Sequence, residues 1–441
     1  MQYVIIGAGP AGVTAAETIR QTDKSGSITM IAGEGEPPYS RMAIPYLLHG
    51  DIAEKGTYLR QKDSHYNDLG IKVVYASVAG IDVPGKKVVT TDIEQIPYDR
   101  LLLATGATPI ILRMEGAGLP GVHTCWTLAD AREIARLVGP GAPVVLVGAG
   151  FIGSIVLEAL HKTGCQLTVV EIAPRMVARM MDETAGGMLG RWCSEHGVRV
   201  MTNTKVEKIL QGSGAGGSKL SVGLSNGEFI PAQLVVMAAG VRSNTGFLGS
   251  TGVKTNVGVT VNEFLETSVP GIYAAGDCCE GIDLSTGKPD MLAIQPVAVE
   301  HGRFVGLNMA GVKTPHRGSL NMNVLDTMGL ISSSFGLWQG APGGQTAKLI
   351  DEKNFKYLKL EFLGDKMVGA QCVGMTDHVG MLRGLIQTGF KLGPWKDKLM
   401  ESPERLREAY IAVAHKAPVV GYSGSKVKPP SQSPTQFAAG A

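Results

Sequence analysis

The chain has almost no excess charge of either sign: 41 lysines and arginines against 39 acids leave a formal +2 over 441 residues. That balance excludes a polyelectrolyte tail and an electrostatic binder of nucleic acid. Cysteine is scarce. The six residues Cys125, Cys165, Cys193, Cys278, Cys279 and Cys372 contain no CxxC, and their spacing fits neither a disulfide framework nor a zinc site, so a reducing compartment is expected. No apolar run reaches the roughly 20 residues of a spanning helix. The longest, Val144–Leu160, is interrupted by Gly148, Gly150, Gly153 and Glu158. The first residues lead into an apolar strand, Tyr3–Ile6, without a basic leader, which predicts a cytoplasmic protein.

Glycine is what the chain has in excess, with 59 residues, well above a usual share of roughly 7%. Much of it falls in strand-to-helix turns. The apolar run Gln2–Ile6, the turn Gly7–Gly12, a helical pattern over Val13–Arg20 and the β-rich Ser27–Ile31 form a βαβ unit. The same order returns at Pro143–Val147, Gly148–Gly153, Ser154–Thr163 and Gln166–Val170, so two dinucleotide sites are predicted.

Each turn has its glycines where the chemistry needs them. In Gly7-Ala8-Gly9-Pro10-Ala11-Gly12 the first glycine allows the tight turn, the second lets backbone approach a pyrophosphate, and the third lets helix and strand pack closely. The helix N-terminus then faces the phosphates. Glu34 stands where a ribose-binding acid belongs, with Glu36 as the competing choice. A glycine turn without a ligand is the plainer alternative, and the strand–turn–helix context argues against it. Gly148-Ala149-Gly150-Phe151-Ile152-Gly153 repeats the device, and Glu171 closes its second strand, where a carboxylate takes both hydroxyls of an adenosine ribose. That favours NADH over NADPH. Arg175 is the counter-argument, since a guanidinium there could receive a 2′-phosphate; its other role is a surface ion pair.

Three further motifs make the resemblance specific: Leu103–Pro109 (LATGATP), Val236–Val241 (VMAAGV) and Thr267–Asp277 (TSVPGIYAAGD). With the two glycine turns they resemble the two-dinucleotide-domain flavoproteins of the pyridine nucleotide-disulfide oxidoreductase superfamily. The resemblance implies an α/β fold with two Rossmann-like, three-layer ββα dinucleotide-binding domains and a C-terminal α+β domain. The expected boundaries are 1–112 with 244–319 for FAD, 113–243 for NAD, 320–416 for the C-terminal interface domain, and a disordered tail at 417–441, where Pro, Ser, Gly and Gln leave little to bury. Gly212–Ser218 is expected to be an exposed hairpin loop. It also implies that Ala104, Thr105, Gly106, Ala239 and Gly240 mark the crossings between the domains, and that Gly276 and Asp277 meet the FAD ribityl chain.

Within the superfamily, Tyr39-Ser40-Arg41 and Glu171–Arg179 (EIAPRMVAR) look like the NADH-dependent ferredoxin and rubredoxin reductases. Leu320–Gly336 (LNMNVLDTMGLISSSFG) is similar to the rubredoxin-reductase and nitrite-reductase-flavin branch. By that resemblance Arg41 sits against the FAD phosphates, where a bidentate guanidinium suits the charge; a solvated arginine is its alternative. Ile294–Arg303 reads as a helix with Gln295 and Pro296 in its first turn, its positive end directed at the flavin. His301 within it is expected to be a packed residue, and no catalytic acid or base is expected.

Two departures narrow the mechanism. Disulfide-reducing members carry cysteine on the helix after the first ribose acid, here Ser40–Leu48; the single-cysteine position falls on Met42, which forms no thiolate. The vicinal Cys278-Cys279 is read as packing, with a strained disulfide as the lesser alternative. The Lys–Glu pair that ferredoxin reductases place beside the flavin aligns with Tyr46 and Ile155, which predicts a more apolar nicotinamide pocket. The expectation is an FAD-dependent NADH:acceptor oxidoreductase passing electrons to a carrier such as ferredoxin or rubredoxin. An NADH oxidase or quinone reductase is one alternative, and an NADH-binding flavoprotein sensor or subunit of a larger redox complex another. The resemblance also implies a homodimer, with Trp338 and Trp395 as interface anchors or as core.

Overall fold

In the computed structural model, described for residues 1–212 and 219–414, two parallel five-stranded sheets organise the first three quarters of the chain. The first runs in the order Ile272–Ala274, Arg100–Leu103, Gln2–Ile6, Ser27–Ile31, Ile71–Val74. The second is ordered Arg199–Met201, Gln166–Val170, Pro143–Val147, Leu234–Met237, Val122–Thr124. The central strands Gln2–Ile6 and Pro143–Val147 are apolar along almost their whole length because both faces are covered. Each sheet has a small antiparallel companion: Val78–Asp82, Lys87–Thr90 and Gln95–Pro97 for the first, Val206–Gln211, Leu220–Leu224 and Phe229–Ala232 for the second.

The chain leaves the first sheet through Ala107–Pro109 and returns through Val241–Ser243, and these two segments pair antiparallel. Asn244 fastens the crossing. Its side-chain amide donates to the Thr105 carbonyl at 2.9 Å, and its own carbonyl accepts the Thr105 hydroxyl at 2.9 Å. The last strand of the first sheet, Ile272–Ala274, leads to Gly276-Asp277 and then to the helix Gln295–Met309. That helix lies close against Pro10–Thr22: a Cβ on Gly302 would fall 2.5 Å from the Ala11 carbonyl oxygen, and one on Gly306 3.0 Å from that of Ala15.

From Met322 onward the chain forms a five-stranded antiparallel sheet, ordered Met322–Thr327, Leu330–Gly336, Lys366–Val373, Lys356–Leu363, Gln345–Asp351. One face packs on the helices Val379–Thr388, Pro394–Glu401 and Leu406–Ala414, and the other on the second parallel-sheet unit.

Several local expectations shift. The first helix spans Pro10–Thr22 rather than starting at Val13, because Pro10 is suited to a first turn. The expected helix Ser40–Leu48 divides into a 3-10 turn, Arg41–Ala43, and a helix, Ile44–His49. The helix Val379–Thr388 ends where Gly389 takes a left-handed conformation (φ 60°). After Ser402 the chain forms a 3-10 turn, Pro403–Arg405, followed by the helix Leu406–Ala414. Trp338 is buried, and Trp395 packs into the C-terminal core with Lys398 over its ring. The hairpin loop expected at 212–218 is closed by a hydrogen bond from the Gly212 N–H to the Lys219 carbonyl at 2.8 Å; residues 213–218, and the tail expected at 417–441, lie outside the described residues.

Candidate functional site

At the first turn Gly7 has φ 113°, and a Cβ there would sit 2.0 Å from the Ala104 carbonyl oxygen. A Cβ on Gly12 would lie 2.0 Å from the Gly7 oxygen, whereas one on Gly9 would meet nothing within 4 Å. The outer glycines close the packing and the middle one leaves an open approach. The second turn repeats this. Gly148 (φ 102°) and Gly153 would place a Cβ 2.5 Å from the Ala238 oxygen and 2.1 Å from the Gly148 oxygen, and Gly150 is open.

The open side of the first turn forms part of a cavity of about 880 Å³. Gly7, Gly9, Pro10 and Ala11 line it with Glu34, Arg41, Ala104, Thr105, Gly106, Gly276, Asp277, Gln295 and Pro296. From the second unit come Phe151, Ile152, Ile155 and Val156. Gly12, Gly148, Gly150, Gly153, Glu171, Ala239 and Gly240 lie outside its wall. Sequence reasoning missed Thr124–Thr127 and the C-terminal strand residues Met322, Asn323 and Val324, which also line it. No spacing rule announces a wall that closes only when three parts of the chain meet.

The polar wall is preorganised. Arg41 pairs with Glu34, donates to the Tyr39 hydroxyl oxygen at 2.9 Å and to the Trp126 carbonyl at 2.6 Å, and lies 5.2 Å from the centroid of the Trp126 ring. Tyr39 donates to Glu34 at 2.6 Å, and burial raises its hydroxyl pKa above the ordinary value. Glu36, the competing acid, also lines the cavity and is held by Arg132 at 2.7 Å. Ser40 donates to the side-chain oxygen of Gln295, itself a wall residue, at 2.5 Å.

Among the described residues the Asp277 carboxylate has no protein hydrogen-bond partner, and burial raises its pKa against the opposing charge of Arg41. A half-buried carboxylate in a cavity wall without a partner matches the hydroxyl groups of a ribityl chain. The open Gly9 cradle, the positive Arg41 and the N-terminus of Pro10–Thr22 match a pyrophosphate. On these observations the residues present fit FAD.

At the second turn, Glu171 is buried; its carboxylate accepts the Ala149 N–H at 2.6 Å and the Ala173 N–H at 2.7 Å. Arg175 donates to the Met181 carbonyl at 3.0 Å and to that of Ala178 at 3.3 Å, and so is tied to its own loop.

Met42 stands in the cavity wall and is 41% exposed. The cysteine in that wall is Cys125, which sequence reasoning did not select; burial pushes its thiol up to about 12. Cys278 and Cys279 are fully buried, their thiols also raised by burial, and the Cys278 thiol donates to the Leu103 carbonyl at 3.3 Å. All six thiols are free. Ile155 faces the cavity, but Tyr46 stands 57% exposed outside its wall, so only one of the two aligned positions shapes the pocket. His301 is packed: its Nδ1 accepts the Gly276 N–H at 3.3 Å, and burial, followed by repulsion from His316, lowers its pKa to about 3.

A glycine turn that opens on a large cavity with a polar wall, and a second glycine turn on a second parallel sheet, define a two-dinucleotide flavin reductase. The family model for pyridine nucleotide-disulphide oxidoreductases matches residues 1–302, and the chain belongs to that family; it is an FAD- and NADH-dependent oxidoreductase. It is 34% identical to an NADH oxidase of Methanocaldococcus jannaschii over 74% of this chain and 73% of the relative. It is 29% identical to the epsilon subunit of the NADH-dependent phenylglyoxylate dehydrogenase of Aromatoleum evansii over 91% of this chain and 95% of the relative. With a rubredoxin-NAD(+) reductase of Pseudomonas putida it shares 32% identity over 71% and 81% of the two chains. Among the described residues no helix is long and apolar enough to cross a membrane.

Proposed function

We propose that this protein takes hydride from NADH and passes the electrons to a protein-bound carrier of the ferredoxin or rubredoxin type. The observation that carries the reading is Met42 in the cavity wall. The only cysteine in the described wall, Cys125, is protonated at working pH, so no thiolate is available to relay electrons to a disulfide, peroxide or persulfide. The relative named for rubredoxin supports the same acceptor class.

In this reading residues 1–112 and 244–319 bind FAD, 113–243 bind NADH, and 320–416 form the interface domain. FAD, when bound, supplies the two-electron chemistry and the step down to a one-electron acceptor. The chain supplies alignment and electrostatics. Gly7, Gly9, Pro10, Ala11 and Gly12 admit and face the pyrophosphate, with Arg41 as its cation. Glu34 receives a ribose and Asp277 the ribityl chain. Gln295 and Pro296 open a helix whose positive end favours negative charge on the ring. Gly148, Gly150 and Gly153 cradle the second dinucleotide, Glu171 receives its adenosine ribose, and Phe151, Ile152 and Ile155 exclude water where the nicotinamide enters. Ala104, Thr105, Gly106, Ala239 and Gly240 shape the crossings.

The end-to-end match to a dehydrogenase subunit favours a second reading, in which the acceptor is a partner subunit of a larger redox complex. A homodimer and a cytoplasmic setting belong to the proposal; exposed Ile331, Ile350 and Leu363 on the C-terminal sheet support the first, and six unpaired thiols the second.

Anaerobic titration of the yellow protein with NADH and separately NADPH, followed by addition of an oxidised rubredoxin or ferredoxin, tests the reading. Fast bleaching by NADH and fast return of flavin colour on adding the carrier are expected. Bleaching followed by return of colour only in air would replace the carrier with dioxygen.

A further inference from the structure

Asp182 lies where the second parallel-sheet unit meets the C-terminal sheet, and it is held from both sides. One carboxylate oxygen caps the helix Glu183–Glu195 by accepting the Ala185 N–H at 3.1 Å. The other accepts the Tyr357 hydroxyl at 2.6 Å, with the Lys359 ammonium 3.7 Å away. The Asp182 backbone N–H donates to the Gln371 side-chain oxygen at 3.1 Å. These partners are fixed in turn: Lys359 pairs with Glu361 at 2.8 Å, and Lys359 and Gln371 both donate to the Trp338 carbonyl, at 3.1 and 3.2 Å. Tyr357, Lys359, Glu361 and Gln371 are all buried.

Asp182 ends the loop that begins at Glu171. Within it the Val177 N–H donates to the Ala149 carbonyl at 2.8 Å, from a left-handed conformation (φ 45°), so the loop is bonded directly to the second glycine turn. Met176, Val177, Met180 and Met181 share one apolar core with Leu325, Leu330, Tyr357 and Val373 of the C-terminal sheet. Apolar packing holds the two parts together but fixes no register, whereas directed bonds from buried side chains to a half-buried carboxylate do. Burial, followed by the neighbouring Asp182, raises the Tyr357 pKa well above its ordinary value, so that side chain remains a donor at working pH.

We propose that Tyr357 and Gln371 are positioning residues for the adenosine half of NADH: by fixing Asp182 they hold the 171–182 loop, and Glu171 with it, against the second glycine turn. The C-terminal domain thereby sets nucleotide affinity without touching the nucleotide. This rests on the proposed role of Glu171 as the ribose ligand.

The test uses full-length, FAD-loaded protein with Tyr357→Phe and, should that variant lose its fold, Gln371→Met. ADP-ribose binding is measured by calorimetry, and anaerobic flavin reduction by NADH in a stopped-flow instrument. In the variants the ADP-ribose Kd and the half-saturating NADH concentration should both rise about three- to tenfold, the effect of losing one hydrogen bond, while the limiting reduction rate and FAD content hold. Val373→Ala, in the same core but without a polar contact, should lower Tm and leave the ADP-ribose Kd unchanged. An unchanged Kd in Tyr357→Phe, or a Kd that rises in Val373→Ala in proportion to lost Tm, would overturn the clasp. Failure of NADH to bleach the wild-type protein would instead remove the NADH reading, and the clasp with it.

Discussion

The Glu171 carboxylate and the Ala149 N–H are bonded to each other at 2.6 Å, so the acid and the glycine turn of the second unit form one preorganised element. A ribose diol arriving there meets a carboxylate already aimed at the turn, and a 2′-phosphate meets a negative charge. Glu171→Ala should lower the NADH specificity constant about tenfold or more and narrow the preference over NADPH. Steady-state kinetics with both nucleotides check this; an unchanged NADH/NADPH ratio would move the ribose site elsewhere.

Asp277 gives a pH-dependent expectation. Its folded-state pKa is raised by burial, so the native flavin-free protein holds a proton that the unfolded chain releases, and stability falls as pH rises from the unfolded pKa through the folded one. Asp277→Asn removes this penalty. The apo variant should melt higher than apo wild type near pH 7, by about 2–4 °C per kcal/mol gained, with the gap closing near pH 4. The same variant should lose FAD, seen as a lower ratio of flavin to protein absorbance.

Because burial raises the thiols of Cys125 and Cys193 to about 12 and that of Cys372 to about 11, iodoacetamide at pH 7.5 should leave NADH-dependent flavin reduction within about twofold of the untreated rate. Met42→Cys should create a site that reacts with the reagent, detected by mass spectrometry of the alkylated protein.

The two kinds of glycine separate in mutagenesis. Gly7→Ala meets the Ala104 carbonyl from a left-handed backbone and should cost about 3 kcal/mol or more of stability. A Cβ on Gly9 has open space in the protein, so Gly9→Ala should keep its Tm without FAD and bind FAD more weakly. Thermal melts of both apo variants, with FAD titrations, measure the difference.

Much of the site was legible because its constraints are local. A glycine that must turn or pack closely leaves its mark at a fixed offset, as at Gly7, Gly12, Gly148 and Gly153. Arg41 and Asp277 were found through motifs, and both stand in the cavity wall. What motif alignment misplaced was Tyr46: on the short helix Ile44–His49 its side chain turns outward, a matter of helix phase that alignment does not carry.

The sequence by itself determined two strand–turn–helix units, their acids and the absence of a thiol at Met42, since each is written in residues close along the chain. Only the tertiary structure decided that Glu34 and Arg41 pair with each other, that Cys125, Trp126 and Asn323 complete the cavity, and that Tyr357 reaches Asp182. Those contacts join segments whose spacing carries no period. They form only when burial of three apolar faces brings the segments together, and unpaired polar groups must then find partners among whatever residues meet there.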